Sequence, residues 1–382
     1  MILLNAGAPR PATGDARLAA ANDLVRRTLA QHGLMPNRDN APNPSPQFRG
    51  QGVTDPMEQF RSQMPKMDFA NPLARFSGMA QSGAMGGFGA FAEPTIPEGA
   101  AFETGTFSNG AGNRDYRLYV PSKTDKIVGV VMMLHGCTQN PEDFATGTGM
   151  NALAENRGFA VIYPRQSRGD NAQSCWNWFS RNDQNRDRGE PAILAGMAQE
   201  VAARFDVGAD RTFVAGLSAG AAMAVILGET HGDTFAAVGA HSGLPYGAAR
   251  DVPSAFAAMG GNAVQRLVVP SEGRARTIVF HGTGDTTVHP TNGQTIGRDL
   301  LTTTGAQTIQ TETTGTRNGR SWTCETTTDT TDMTGTPLLE HWTVEGLGHA
   351  WSGGQPAGTY TDAKGPDASG EMIRFFFDTE SN

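Results

Sequence analysis

Three residues that are far apart in the chain have the types needed to turn a serine hydroxyl into a nucleophile. Ser218 lies between glycines in GLSAG, Asp285 ends the segment FHGTGD, and His349 lies in GLGHAW. Serine is a weak nucleophile until a base removes its proton, and an imidazole does this best when a carboxylate orients it. His349 would take the proton of Ser218 during attack and return it to the leaving group. The three residue types therefore predict nucleophilic hydrolysis through a covalent intermediate.

The serine lies where the sequence favours a sharp strand-to-helix turn. Residues 212–215 are an apolar run of strand composition, and residues 221–227 are good helix formers. The pattern G-x-S-x-G at such a turn holds the serine hydroxyl clear of the sheet edge. In a chain with 48 glycines the pattern also arises by chance, and small residues can serve helix packing alone. The interpretation therefore depends on the acid and the histidine that follow.

Strands and helices alternate over residues 101–382, and each of the three residues follows a strand. The expected strands are 103–108, 114–120, 127–134, 159–163, 212–215, 235–240, 277–281 and 338–344, the first two forming an antiparallel hairpin. The expected helices are 141–157, 190–205, 219–228, 291–301 and 367–377. This alternation predicts a mainly parallel sheet flanked by helices on both faces, with reactive groups beyond the carboxyl ends of its strands. The chain order Ser218, Asp285, His349 is that of the α/β-hydrolase fold.

Other histidines and aspartates compete for the same roles. His281 belongs to the strand before Asp285, and we expect it to pack or to form hydrogen bonds locally. His289 lies in TVHP, which is typical of a turn. Four further aspartates lie in loops that no strand precedes at the right place: Asp170, Asp183, Asp187 and Asp233.

The oxyanion of the tetrahedral intermediate needs backbone donors. In hydrolases with this chain order, one donor is the amide after the nucleophile and the other comes from the loop after the third strand. These are Ala219 and, in the segment HGCTQ, an amide near Cys137. Each donor is worth about 3–4 kcal/mol. The alternative is an ordinary strand-to-helix loop.

The first hundred residues differ from the rest of the chain. Residues 16–31 have the apolar spacing of one short amphipathic helix. Residues 37–97 are rich in Pro, Gly, Asn, Ser and Met, a composition that cannot bury a core and predicts an irregular linker. We therefore interpret residues 1–100 as an N-terminal extension and residues 101–382 as the catalytic domain. A partner-binding role for the Met/Phe/Gly segment is the alternative.

Charge, hydropathy and cysteine content exclude several classes of protein. The net charge of −8, with scattered Lys and Arg, argues against nucleic acid or an anionic membrane as a partner. No apolar run approaches the length of a membrane span. The three cysteines form no C-x-x-C pair, so we expect no metal, and the proposed chemistry needs no cofactor. The N-terminal residues lack the basic segment of a signal peptide.

Several longer blocks resemble the polyhydroxybutyrate depolymerase family of esterases. They are HGCTQNPEDFATGTGMNALAENRGFAVIYP, CWNWF, VAGLSAGAAMA, HSGLPYG, FHGTGDTTVHP, GLGHAWSGG and GTYTDAKGPDASGEMIRFFF. The resemblance covers roughly residues 101–377 and implies hydrolysis of short-chain hydroxyalkanoate polyesters, their oligomers or related esters. It implies Ser218 as nucleophile, Asp285 as acid, His349 as base and His135 as an oxyanion-hole residue.

The resemblance leaves substrate and compartment open. Related feruloyl and acetyl carbohydrate esterases share the same plan, and broad-specificity polyester hydrolysis is a further alternative. A non-catalytic granule-binding protein of this fold is a remote one. Secreted family members carry a substrate-binding domain after the catalytic one, whereas this sequence stops at Asn382. We therefore expect soluble oligomers, amorphous polymer or small esters as substrates.

The same blocks suggest roles for cysteines and tryptophans. Cys137 and Cys175 lie in loops that are expected to meet near the site, so a disulfide is one hypothesis and two buried free thiols are the other. Cys324 is expected to be unpaired. Three large apolar side chains lie in loops near the predicted active site: Trp176, Trp178 and Trp351. We interpret them as walls of a pocket for an acyl chain, and a role in the core is the alternative.

Overall fold

The computed structural model describes residues 93–122, 126–263 and 275–377. The helix expected over residues 16–31 and the linker after it lie outside these residues.

Ten strands of the described residues form one sheet. They are β1 (Ala101–Asn109), β2 (Gly112–Val120), β3 (Val130–Leu134), β4 (Ala160–Pro164), β5 (Thr212–Leu217), β6 (Ala237–His241), β7 (Arg276–Gly282), β8 (Thr308–Arg317), β9 (Arg320–Asp329) and β10 (Pro337–Val344). The spatial order is β1-β2-β4-β3-β5-β6-β7-β10-β9-β8. The six central strands run parallel to one another: β4, β3, β5, β6, β7 and β10. The hairpins at the two edges, β1–β2 and β9–β8, are antiparallel and pair antiparallel with the central strands. A separate parallel pair joins β11 (Trp351–Ser352) and β12 (Thr361–Asp362).

Helices cover both faces of the sheet. They are α1 (Pro141–Thr148), α2 (Met150–Arg157), α3 (Gly189–Arg204), α4 (Ala219–Thr230), α5 (Val252–Met259), α6 (Thr291–Thr304) and α7 (Ala368–Phe377), with 3-10 turns at Arg181–Gln184 and Ala209–Arg211. Side chains of α3, α4, α5 and α6 belong to one hydrophobic cluster, and those of α1, α2 and α7 belong to a second. Every residue of β3, β4, β5 and β6 is buried, as expected for strands covered on both faces.

Most expected elements are present, and the differences have local causes. The helix expected over residues 141–157 is two helices, because Gly149 adopts a left-handed conformation (φ 64°) that ends α1. The hairpin of β8 and β9 is not among the expected strands, because its Thr-rich residues include few apolar side chains and β8 is largely exposed. Helix α5 was also missed; Asp251 caps it by accepting the N–H of Ser254. Within the described residues, no helix is both long and apolar enough to cross a membrane.

Candidate active site

Ser218 occupies the tight turn between β5 and α4. Its backbone has φ 58° and ψ −117°, a strained conformation that non-glycine residues rarely adopt. The turn leaves no room for side chains at the flanking glycines: a Cβ at Gly220 would lie 2.0 Å from the carbonyl oxygen of Leu134, and one at Gly216 would lie 2.4 Å from the backbone of Gly220. The local sequence thus permits a turn that lifts the serine out of the sheet.

Asp285 and His349 are joined by a direct hydrogen bond. The Nδ1 of His349 donates to Oδ2 of Asp285 over 2.8 Å, and the Asp285 side chain is buried. The other carboxylate oxygen accepts the amide N–H groups of Thr287 and Val288, each at 2.9 Å. Burial alone would raise the pKa of Asp285, but the hydrogen bond and the charge of His349, with the amide of Val288 and the charge of His281, lower it to about 2. The carboxylate is therefore ionised and fixes the Nδ1–H tautomer, which leaves Nε2 of His349 free to act as a base.

The sheet brings Ser218 to the edge that carries this pair. The strands β5, β6, β7 and β10 are parallel neighbours, and the three residues follow β5, β7 and β10. Within the described part of the chain, no hydrogen bond joins the Ser218 hydroxyl to His349. The structure thus pairs the acid with the histidine and places the serine at the same edge of the sheet, without a direct bond to the imidazole.

The loop after β3 lies against the start of α4. A Cβ at Gly220 would lie 2.7 Å from the carbonyl oxygen of His135. In this loop the amide of Gly136 donates to Gln139 and that of Thr138 donates to Gln173. The amides of Cys137 and Ala219 have no acceptor among the described residues. Two unpaired N–H groups on adjoining segments can together accept a developing oxyanion.

A disulfide holds the oxyanion loop. Cys137 and Cys175 are bonded, so the loop after β3 is tied to the segment that carries Trp176. Cys324 is a buried free thiol, and burial raises its pKa to about 12, so it is not a nucleophile near neutral pH. Of the two alternatives for Cys137 and Cys175, the structure has the bridge.

His135 supports the loop and does not supply an oxyanion donor, which corrects the expectation. Its ring is fully buried; Nδ1 donates to the carbonyl of Gly136 (2.8 Å) and Nε2 accepts the N–H of Gln166 (3.1 Å). Its carbonyl also accepts the indole N–H of Trp176 (3.0 Å). Burial lowers the pKa of His135 to about 4, so the ring is neutral. Both nitrogens are already used inside the protein.

The interpretation of the three tryptophans as substrate walls is wrong for this structure. Trp176, Trp178 and Trp351 are all buried. Trp351 packs against Phe144 and His241, and its indole N–H donates to Ser369. These side chains belong to the core beneath the site, where aromatic area contributes to stability.

The competing residues have structural partners. His281 donates through Nε2 to the carbonyl of Val288 (2.8 Å), which steadies the loop that presents Asp285. Nδ1 of His289 bonds locally to Thr291. Three of the loop aspartates form contacts elsewhere: Asp170 with Arg114, Asp183 with the amide of Glu190, and Asp233 with Arg186. Across the described ranges, no group of three His, Cys, Asp or Glu could hold a metal ion.

Sequence reasoning missed His241, the last residue of β6. It is fully buried, its carbonyl accepts the N–H of Ser218 (2.9 Å), and its Nε2 accepts the N–H of Ser352 (3.0 Å). The available signal is a polar residue at the end of β6, the strand that lies between β5, which precedes Ser218, and β7, which precedes Asp285.

Comparison with known proteins identifies the family of the chain. The model of the family described as "Esterase PHB depolymerase" matches residues 114–321. The chain belongs to this family. It is 29% identical over 297 residues to poly(3-hydroxyalkanoate) depolymerase C of Paucimonas lemoignei, covering 72% of this chain and 66% of that protein. It is 30% identical over 206 residues to acetylxylan esterase A of Talaromyces purpureogenus, covering 50% of this chain and 53% of that protein.

A solved structure supports the fold. Acetyl xylan esterase from Aspergillus awamori matches with a TM-score of 0.53 at 21% identity, covering 70% of this chain and 94% of that one. This protein thus has the α/β-hydrolase fold that its sequence predicts. The chain spans between about half and two thirds of the length of the two curated relatives above.

Proposed function

We propose that the protein is a serine esterase that hydrolyses carboxylic esters through an acyl-enzyme. The observation that carries the proposal is the strained Ser218 turn at the same sheet edge as the hydrogen-bonded pair of His349 and Asp285. A strained polar residue at the same sheet edge as an oriented imidazole is an arrangement suited to nucleophilic catalysis.

The mechanism follows from the roles of these groups. Nε2 of His349 removes the proton of the Ser218 hydroxyl as its oxygen attacks the ester carbonyl carbon. The amides of Cys137 and Ala219 hold the oxyanion, the carbon–oxygen bond to the alcohol breaks, and the alcohol leaves with the proton from His349. A water molecule then attacks the acyl-enzyme with His349 again as base, which releases the acid and restores Ser218. The ionised Asp285 stabilises the imidazolium in both halves.

The substrate class that we propose is short-chain hydroxyalkanoate polyester or its oligomers. The family match and the similarity to a poly(3-hydroxyalkanoate) depolymerase support this class. An acetyl carbohydrate ester is the second candidate, because the acetylxylan esterase relative is similar at 30% identity. A feruloyl ester or a broad polyester substrate remains an alternative within the same chemistry.

A substitution at the nucleophile tests the proposal. The variant Ser218→Ala should lower kcat on a p-nitrophenyl ester by about 10⁶-fold, the scale found for a triad serine. A fluorophosphonate probe should label the wild-type protein and leave the variant unlabelled. Hydrolysis by Ser218→Ala at the wild-type rate would rule out this nucleophile. Side-by-side rates on hydroxybutyrate oligomers, acetylated xylan and feruloyl esters would then separate the substrate candidates.

A further inference from the structure

Tyr360 combines two unusual features at the edge of the site. Its backbone is left-handed (φ 51°), which for a bulky residue other than Gly, Asn or Asp is an outlier. The residue is 36% exposed, so full burial of the ring does not account for a tyrosine at this position. Strained residues that persist in a fold cluster at functional sites.

Contacts from two directions hold Tyr360 in this conformation. Its carbonyl accepts the N–H of Trp351 (2.7 Å), two residues after His349. Its hydroxyl and Oγ1 of Thr138 form a hydrogen bond of 3.2 Å, and Thr138 itself has φ 66° and directly follows Cys137. The tyrosine therefore reaches from the segment that follows the candidate base to the oxyanion loop.

The preceding residue anchors the same segment. Thr359 donates its backbone N–H to Oδ1 of the buried Asp143 (2.9 Å), and its carbonyl accepts a hydrogen bond from Gln139 (3.1 Å). Gln139 also accepts the amide N–H of Gly136 in the oxyanion loop. The buried side chains of Asp143 and Gln139 thus hold the backbone just before Tyr360, while Tyr360 itself is partly exposed.

We propose that Tyr360 contacts the substrate and that its ring packs against the acyl chain of the ester. This inference rests on the proposed function. After the alcohol has left with the proton from His349, the acyl group stays bonded to Ser218 and its carbonyl oxygen stays at the oxyanion donors. The acyl chain is therefore held near the oxyanion loop. The hydroxyl of Tyr360 is engaged by Thr138, so the ring offers mainly its apolar surface. The residue therefore favours esters whose acyl chain is longer than acetyl.

Three variants and two substrates test this role. Tyr360→Ala removes the ring, Tyr360→Asn removes it but keeps a residue that tolerates the left-handed backbone, and Tyr360→Phe keeps the ring without its hydroxyl. For p-nitrophenyl hexanoate, KM should rise about tenfold in the Ala and Asn variants and less than threefold in the Phe variant. For p-nitrophenyl acetate, the three variants should behave alike, because each loses the hydroxyl that bonds to Thr138 and a two-carbon acyl group does not reach the ring. A tenfold change corresponds to about 1.4 kcal/mol of binding.

Fluorophosphonate labelling and Tm separate this inference from the proposed function. The Asn variant should still be labelled at Ser218 and should lose the preference for hexanoate over acetate. If the probe labels all variants but the hexanoate-to-acetate ratio stays at the wild-type value, the assignment of Tyr360 is overturned. Equal losses on both substrates with a lowered Tm would also overturn it, since they indicate a purely structural role. Absence of labelling at Ser218 in the wild-type protein would instead overturn the proposed function.

Discussion

The buried imidazole of His241 accepts, through Nε2, the amide N–H of Ser352 over 3.0 Å. Its ring stacks between Phe280 and Trp351, with centroid distances of 5.8 and 5.0 Å. Because the carbonyl of the same residue accepts the N–H of Ser218, His241 connects the nucleophile turn to the segment that follows His349. We expect this residue to fix the relative position of serine and base.

Removing the acceptor at His241 should lower activity without removing the packing. His241→Phe keeps a ring between its two aromatic neighbours but leaves the amide of Ser352 buried and unpaired, at a cost of about 1–3 kcal/mol in the free energy of unfolding. Steady-state kinetics should show a lower kcat with little change in KM. His241→Gln, whose amide oxygen can replace Nε2, is the matched control and should recover part of kcat. Equal kcat in the Phe variant and wild type would contradict this role.

Neutralising the acid should impair the base while leaving binding intact. Asp285→Asn cannot hold His349 as the Nδ1–H tautomer in the same way, and it provides no charge to stabilise the imidazolium. We expect kcat to fall by about 10⁴-fold, the scale for the aspartate of a triad. KM for a p-nitrophenyl ester should change little. A loss of less than tenfold would show that another group orients the imidazole.

Gly220, two residues after the nucleophile, should not tolerate even a methyl group. At Gly220→Ala the new Cβ would meet the backbone oxygen of Leu134 at 2.0 Å, so β3 or α4 must shift. We expect little soluble folded protein, or a thermal midpoint well below that of wild type by calorimetry. Gly110→Ala is the matched control, because nothing lies within 4 Å of a Cβ there. Similar midpoints for the two variants would argue against the tight turn.

Thiol titration tests the bridge between Cys137 and Cys175. Unfolded protein without reductant should show one reactive thiol, that of Cys324, and three after reduction. The bridge links residues 38 apart in sequence, and a loop of this size stabilises the fold by about 4 kcal/mol in the chain-entropy description. The double variant Cys137→Ser/Cys175→Ser should therefore unfold at a lower urea concentration. Three thiols before reduction would exclude the bridge.

Acid should destabilise the protein through its buried neutral histidines. Burial lowers the pKa of His135 to about 4, of His241 to about 3 and of His281 to about 4, whereas a solvent-exposed histidine of the unfolded chain has a pKa of 6.5. Below pH 6.5 the unfolded chain therefore binds more protons than the folded one, and stability falls as pH falls towards about 4. The contribution of Asp285 is lost only lower, between about 3.8 and 2.

Urea unfolding at several pH values measures this dependence. Because these histidines are neutral in both states at high pH, the urea concentration at the unfolding midpoint should be nearly constant from pH 8 to pH 7. It should then fall steadily from pH 6.5 to pH 4.5. His281→Gln, which keeps a donor for Val288 without a titrating ring, should show a shallower fall. A midpoint that rises on acidification would contradict the neutral state of these residues.

Much of the fold and site follows from local patterns along the chain. Continuous apolar runs predicted the central strands, because strands covered on both faces have no polar side. The glycines around Ser218 predicted a turn that excludes side chains, and a strand before Asp285 and before His349 placed both at one edge. Residues 308–329 carry a weaker signal, since β8 is largely exposed and the Thr-rich pattern of the hairpin includes few apolar side chains.

The sequence by itself determined the types, order and flanking turns of Ser218, Asp285 and His349, because these depend on short-range chemistry and on the alternation of strands and helices. Tertiary structure alone decided which side chains near Ser218, Asp285 and His349 are buried in the core and which stay exposed. Tryptophans near the chemistry proved to be core, and His135 proved to support a loop, because burial depends on neighbours that are far away in the sequence. The link through His241 and the exposed, strained Tyr360 likewise arise from contacts between distant segments, which no local pattern records.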